Sequence, residues 1–129
     1  MSTNKSISKE IPEYMKVAYK HDDYPEEGFA EGGHLSQGGG FFHINPKSRE
    51  LGGHSYYMSI KFKDDLAVGK YELDGKDEPV RAHLEFDGIA NDTYASGTLE
   101  LIQVSPYPEG EFDLVEGKLS AKGTFTFRR

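Results

Sequence analysis

The amino-acid sequence predicts an all-β fold, a single-domain antiparallel β-sandwich of about eight strands, with a closed or partly open β-barrel as the alternative. Three observations carry this expectation. Apolar residues recur with period two along the longest apolar segments, the spacing at which successive side chains point to opposite faces of a strand. Clusters of Gly, Asp, Asn and Pro separate those segments at hairpin spacing, in "KDDLAVG", "DGKDEP", "DGIAND" and "SPYPEG". No segment shows a convincing apolar period of 3.6 residues. The sandwich is preferred to the barrel because the strands vary in length.

From the N-terminus, residues 1 to about 10 are polar and predict a disordered tail, leaving residues 11–129 as the single β domain. "YMKVAY" from Tyr14 is a short strand. Asp22 to Phe29 offers the best chance of a helical turn, which Pro25 and Gly28 restrict to one or two turns. "GGHLSQGGGFFH" reads as an irregular loop whose "GGG" leads into a "FFHIN" strand from Phe41, and "NPKSRELGG" makes the next turn. In "SYYMSIKFK", Tyr56, Met58, Ile60 and Phe62 point inward and Tyr57, Ser59, Lys61 and Lys63 outward.

"GKYELD" from Gly69 is the next strand. In "VRAHLEFD", Val80, Ala82, Leu84 and Phe86 face inward against Arg81, His83, Glu85 and Asp87. The inward set of "GTLELIQV" changes from Leu99 and Leu101 to Ile102 and Val104, as a β-bulge or a strand buried on both faces requires. "EFDLVE" from Glu111 precedes "KLSAKGTFTFR", where Leu119, Ala121, Phe125 and Phe127 oppose Lys118, Ser120, Lys122, Thr124 and Thr126. The run of "GKYEL", "ASGTLELIQV" and "EGKLSAKGTFTF" resembles the repeating hairpins of small bacterial β-sandwich domains. Its matching residues are strand and turn residues, so the resemblance implies a fold and no site.

At 129 residues the chain suits one domain, and eight Phe and eight Tyr without any Trp predict an aromatic-rich core. The absence of cysteine excludes disulfides, thiolate metal sites, iron–sulfur clusters and cysteine nucleophiles, and fits a reducing compartment. The N-terminus lacks an apolar signal-peptide core, and no window approaches the ~18 apolar residues of a membrane span. The expectation is a cytoplasmic protein without a membrane role. A net charge of −7 argues against nucleic acid as the main partner, because that role needs a cationic surface.

Eight of the fifteen glycines lie between Gly28 and Gly53, around His34, His43 and His54. Glycine before histidine lets an imidazole reach a ligand, and three imidazoles suit zinc. The spacings match no compact metal motif, so only folding brings the three together. His43 should share a face with Phe41 and Asn45, whereas His54 has the inward parity of Tyr56 and Met58. If two histidines act together, these are His43 and His54, placed opposite each other across "NPKSRELGG". His34, His43, His54 and Tyr56 are therefore the candidate ligand-binding residues. His83, flanked by Arg81 and Glu85, reads as a solvated strand histidine, and His21 belongs to the acidic turn "HDDYPEE".

No catalytic residue is assigned. GxSxG is absent, as are the P-loop and dinucleotide contexts, and "DD", "DGKDE" and "FDGIAND" are turns rather than an EF-hand. Charge distribution says more. Asp64 to Glu116 holds fourteen carboxylates against Lys70, Lys76 and Arg81, while Gly117 to Arg129 carries four cations and no acid. The leading functional reading is a small non-enzymatic protein, of the immunity or inhibitor kind, that binds a basic protein partner through acidic turns and outward strand positions, with Asp74, Asp77 and Glu78 as candidate contacts. The alternative is a small-molecule binder with a pocket near the glycine-rich loops. A histidine-dependent zinc enzyme is the third reading.

Overall fold

The computed structural model describes residues 13–23, 27–46, 49–51, 53–75, 79–90 and 94–127; the expected N-terminal tail lies outside them. In chain order the strands are β1 (Glu13–His21), β2 (Glu27–Glu31), β3 (Gly33–Gly38), β4 (Phe41–Pro46), β5 (Arg49–Leu51) and β6 (His54–Lys63). They continue as β7 (Gly69–Asp74), β8 (Val80–Phe86), β9 (Ile89–Ala90), β10 (Ser96–Gln103), β11 (Glu109–Glu116) and β12 (Leu119–Phe127). One sheet has the order β2-β1-β12-β11-β10-β7; the other runs β3-β4-β6-β8-β9, with β5 also paired to β6. Every pairing is antiparallel and neither sheet closes on itself. The fold is the β-sandwich, and the barrel alternative is excluded.

Period-two patterning explains the layers. Tyr56, Met58, Ile60 and Phe62 of β6 are buried, as are Val80, Ala82 and Leu84 of β8. Across the interlayer space they face Met15, Val17 and Tyr19 of β1 and Leu119, Ala121, Phe125 and Phe127 of β12. Each such large side chain contributes about 1.5–3 kcal/mol on full burial, so these alternating strands drive the layers together. Phe86 also faces inward, packing against Tyr56, but is only half-buried because β8 ends there and its ring lies at the rim between two imidazoles.

Several local expectations are corrected. No helical turn forms among the described residues between Asp22 and Phe29: Asp22 and Asp23 make a turn, and Glu27 begins β2, which pairs with β1. The chain from Gly33 to Phe41 is an ordered hairpin rather than an irregular loop. Gly38 pairs with Phe41 across Gly39 and Gly40, whose φ angles of 62° and 86° suit a two-residue type I′ turn. Within "NPKSRELGG", Arg49 to Leu51 form β5 against β6. These short, glycine-rich or polar strands raise the number above the expected eight. No helix forms among the described residues, so none is long and apolar enough to cross a membrane.

The parity change in β10 is a β-bulge. The register with β11 shifts between Leu101 and Gln103; Leu101 and Val104 are buried, while Ile102 is 56% exposed. The strand is therefore not buried on both faces. A second irregularity is electrostatic: Glu116, in the inward parity of Phe112 and Leu114, is only 4% exposed. Its Oε1 accepts the Leu84 backbone N–H from the opposite sheet at 2.9 Å. Among the described residues the edge of β8 is paired only by the two-residue β9, and this carboxylate satisfies the backbone donor of Leu84.

Candidate functional site

The outward positions of β7, β10, β11 and β12 assemble a charged face. Cross-strand register aligns Lys70, Glu100, Glu111 and Thr124 in one row, and Glu72, Thr98, Asp113 and Lys122 in the next. Glu100 and Glu111 are directly opposite each other. Asp113 lies one row along from Glu111, on the same face. Like charges in such positions oppose sheet pairing, yet here both are exposed and set side by side. Among the described residues no ion pair engages Glu100, Glu111 or Asp113.

The same residues surround a shallow depression of about 430 Å³, whose lining includes Lys70, Glu100, Glu111, Asp113, Lys122 and Gly123. Gly123 lacks a side chain for a steric reason. A Cβ built there falls 1.8 Å from the Lys16 carbonyl oxygen on β1, so the two backbones meet too closely for any other residue. Asp74 ends β7 opposite Ser96 and extends the acidic stripe along that strand. Asp77 and Glu78 lie outside the described residues.

The histidines do not form one cluster. His34 and His43 both face outward on the β3–β4 hairpin, where His34 pairs with Asn45 and His43 with Ser36. His43 thus shares the outward face with Phe41 and Asn45, as its parity implies. His54 is elsewhere, at the start of β6 opposite Leu51, while His43 is opposite Lys61. The expected His43–His54 opposition therefore fails on register: β4 pairs with the far end of β6, and β5 takes the place opposite His54. Tyr56 is a core residue, tilted against Tyr19 at 5.8 Å and edge-on to Phe86 at 5.2 Å. Among the described residues no group of three or more His, Asp or Glu side chains is placed to hold a metal ion.

Sequence reasoning missed a constellation at one end of the sandwich. The His54 Nδ1–H donates to Asp87 Oδ2 at 2.8 Å, and the Ser55 N–H donates to Asp87 Oδ1 at 2.9 Å. The His54 and His21 rings lie 4.8 and 4.5 Å from that of Phe86. The sequence reads Asp87 both as an outward position of the "VRAHLEFD" strand and as the Asp of an Asp-Gly turn; β8 ends at Phe86, the φ of 56° at Asp87 fits the turn, and the fold then uses its carboxylate a second time. The hydrogen bond from His54 and then that from Ser55 hold its carboxyl below the usual carboxylate range. His83 is also not simply solvated: its ring packs 4.6 Å from Tyr94, and its Nδ1 is buried with no hydrogen-bond partner among the described residues.

Comparison of the chain with protein-family models, curated proteins and solved structures gives no match.

Proposed function

We propose that the chain is a small non-enzymatic binding protein whose acidic outer sheet face docks against a basic surface of another protein, such as a toxin or an enzyme. The direct opposition of Glu100 and Glu111 carries this reading. Two carboxylates facing each other across neighbouring strands, with Asp113 beside them and no ion pair among the described residues, oppose folding of the isolated domain. A cationic partner relieves that repulsion on binding, so the arrangement gains more from a partner than from the fold.

The surface is suited to fast encounter. Its carboxylates stand on strands rather than on loops, and a face on which they outnumber the lysines steers a positively charged protein toward it. Lys70 and Lys122 flank the acids and limit how far the negative field spreads.

The test is capture from a cell extract with the parent chain and with Glu100→Gln/Glu111→Gln/Asp113→Asn as baits. A basic protein retained by the parent and depleted on the variant supports the reading. Equal retention, or a partner that is acidic where it contacts this face, overturns it.

A further inference from the structure

The outward face of the other sheet has the opposite character. Register places His43 of β4 opposite Lys61 of β6, and Lys61 opposite Arg81 of β8, giving three adjacent basic side chains across three strands. At a strand spacing of about 4.8 Å this row spans about 10 Å. Its members are half-buried rather than fully exposed. Like charges opposite each other, here Lys61 and Arg81, are unfavourable for an isolated sheet.

What holds the cations in place leaves their charge intact. The Lys61 ammonium lies 4.4 Å from the centre of the Phe41 ring, and the Arg81 guanidinium 5.5 Å from that of Tyr94. An aromatic face attracts and orders a cation without carrying a compensating charge. Among the described residues no carboxylate is paired with Lys61 or Arg81. On the described outward positions of β3, β4, β6 and β8 the single carboxylate is Glu85, four residues and about 13 Å along β8 from Arg81. Lys63, His34 and His83 add further basic groups on the same face.

We infer that His43, Lys61 and Arg81 form a binding site for a small oxyanion of the phosphate class. A guanidinium fork, a point-charge ammonium and an imidazole together offer several donors, which matches the several oxygens of phosphate better than the two of a carboxylate. The site is separate from the acidic face, and neither reading depends on the other.

His43 reports on occupancy. Its affinity for a proton is lowered by burial first and then by Lys61 and Arg81, so an anion that offsets those charges raises its titration midpoint. The experiment follows the His43 imidazole by NMR through a pH titration of the full chain, in inorganic phosphate and in chloride at equal ionic strength. Phosphate should raise the midpoint saturably, and Lys61→Met/Arg81→Met should weaken phosphate binding by about tenfold or more, the loss expected when a charge-assisted contact is removed. Lys63→Met should bind as the parent does. Unchanged core amide shifts at Ile60 and Ala82 confirm that the variants are folded. Identical midpoints in phosphate and chloride overturn the proposal, as does a phosphate response that survives in the double variant. An equal response to acetate overturns the assignment to the phosphate class.

Discussion

His54 and Asp87, thirty-three residues apart, are joined by a 2.8 Å hydrogen bond that ties the start of β6 to the turn after β8. The Asp87 N–H also donates to the Ser55 carbonyl at 2.8 Å, so side chain and backbone close the same corner. Because these contacts hold the Asp87 carboxyl low, they stabilise the fold above the unfolded carboxylate value of ~3.9 and lose that effect as pH falls through the lower folded value. Asp87→Asn keeps a residue that tolerates positive φ. Its urea midpoint should lie below the parent's at pH 7, with the gap closing in acid. A gap independent of pH would contradict the role given to the carboxylate.

Glu116 makes a second interlayer link, and its replacement separates acceptor from charge. Glu116→Leu leaves the Leu84 N–H without the partner now at 2.9 Å and should cost about 1–3 kcal/mol, the penalty for an unsatisfied buried donor. Glu116→Gln keeps an acceptor oxygen and should cost less. Urea unfolding of both variants checks the order; equal losses would mean that the hydrogen bond contributes nothing.

The bulge in β10 sets two neighbouring residues apart. Leu101→Ala removes a buried side chain and should cost about 2–5 kcal/mol. Ile102→Ala, at a position 56% exposed, should stay within about 0.5 kcal/mol of the parent. The same unfolding experiment distinguishes them, and a large loss at Ile102 would place it in the core.

Two glycines make a sharper contrast. Gly123→Ala drives a Cβ to within 1.8 Å of the Lys16 carbonyl oxygen; relief requires β1 to move, at a cost of about 3 kcal/mol or more. Gly38→Ala meets nothing within 4 Å and should be near neutral. Comparable melting temperatures for the two would contradict the close approach of β1 and β12.

Much of this architecture was legible because β6, β8 and β12 are long enough for period two to stand out, and their inward residues are large. β3 was not, since its His-Leu-Ser-Gln core offers one apolar side chain and its glycines resemble a loop until the Gly39–Gly40 turn is seen pairing Gly38 with Phe41. The bulge was visible as a broken parity at Ile102, but parity alone could not say which face each residue takes. The charged rows on both outer faces depend on register between strands far apart in sequence. Local pattern puts Glu100 and Glu111 outward; only the pairing of β10 with β11 makes them opposite. Asp87 and Glu116 escaped for a related reason, since a carboxylate's partner in the other hairpin or the other sheet leaves no local trace.

The acidic face is tested most directly by the association rate of the captured basic partner with the parent and with Glu100→Gln/Glu111→Gln/Asp113→Asn across a salt series. Exposed charges act over a Debye length of ~8 Å at physiological salt, so steering should be strongest in dilute buffer. The variant should associate more slowly than the parent at low salt, the two rates should converge as salt rises, and the variant's unfolding midpoint should not fall. Equal association rates at low salt would contradict the account and leave Glu100 and Glu111 as a solubilising surface alone.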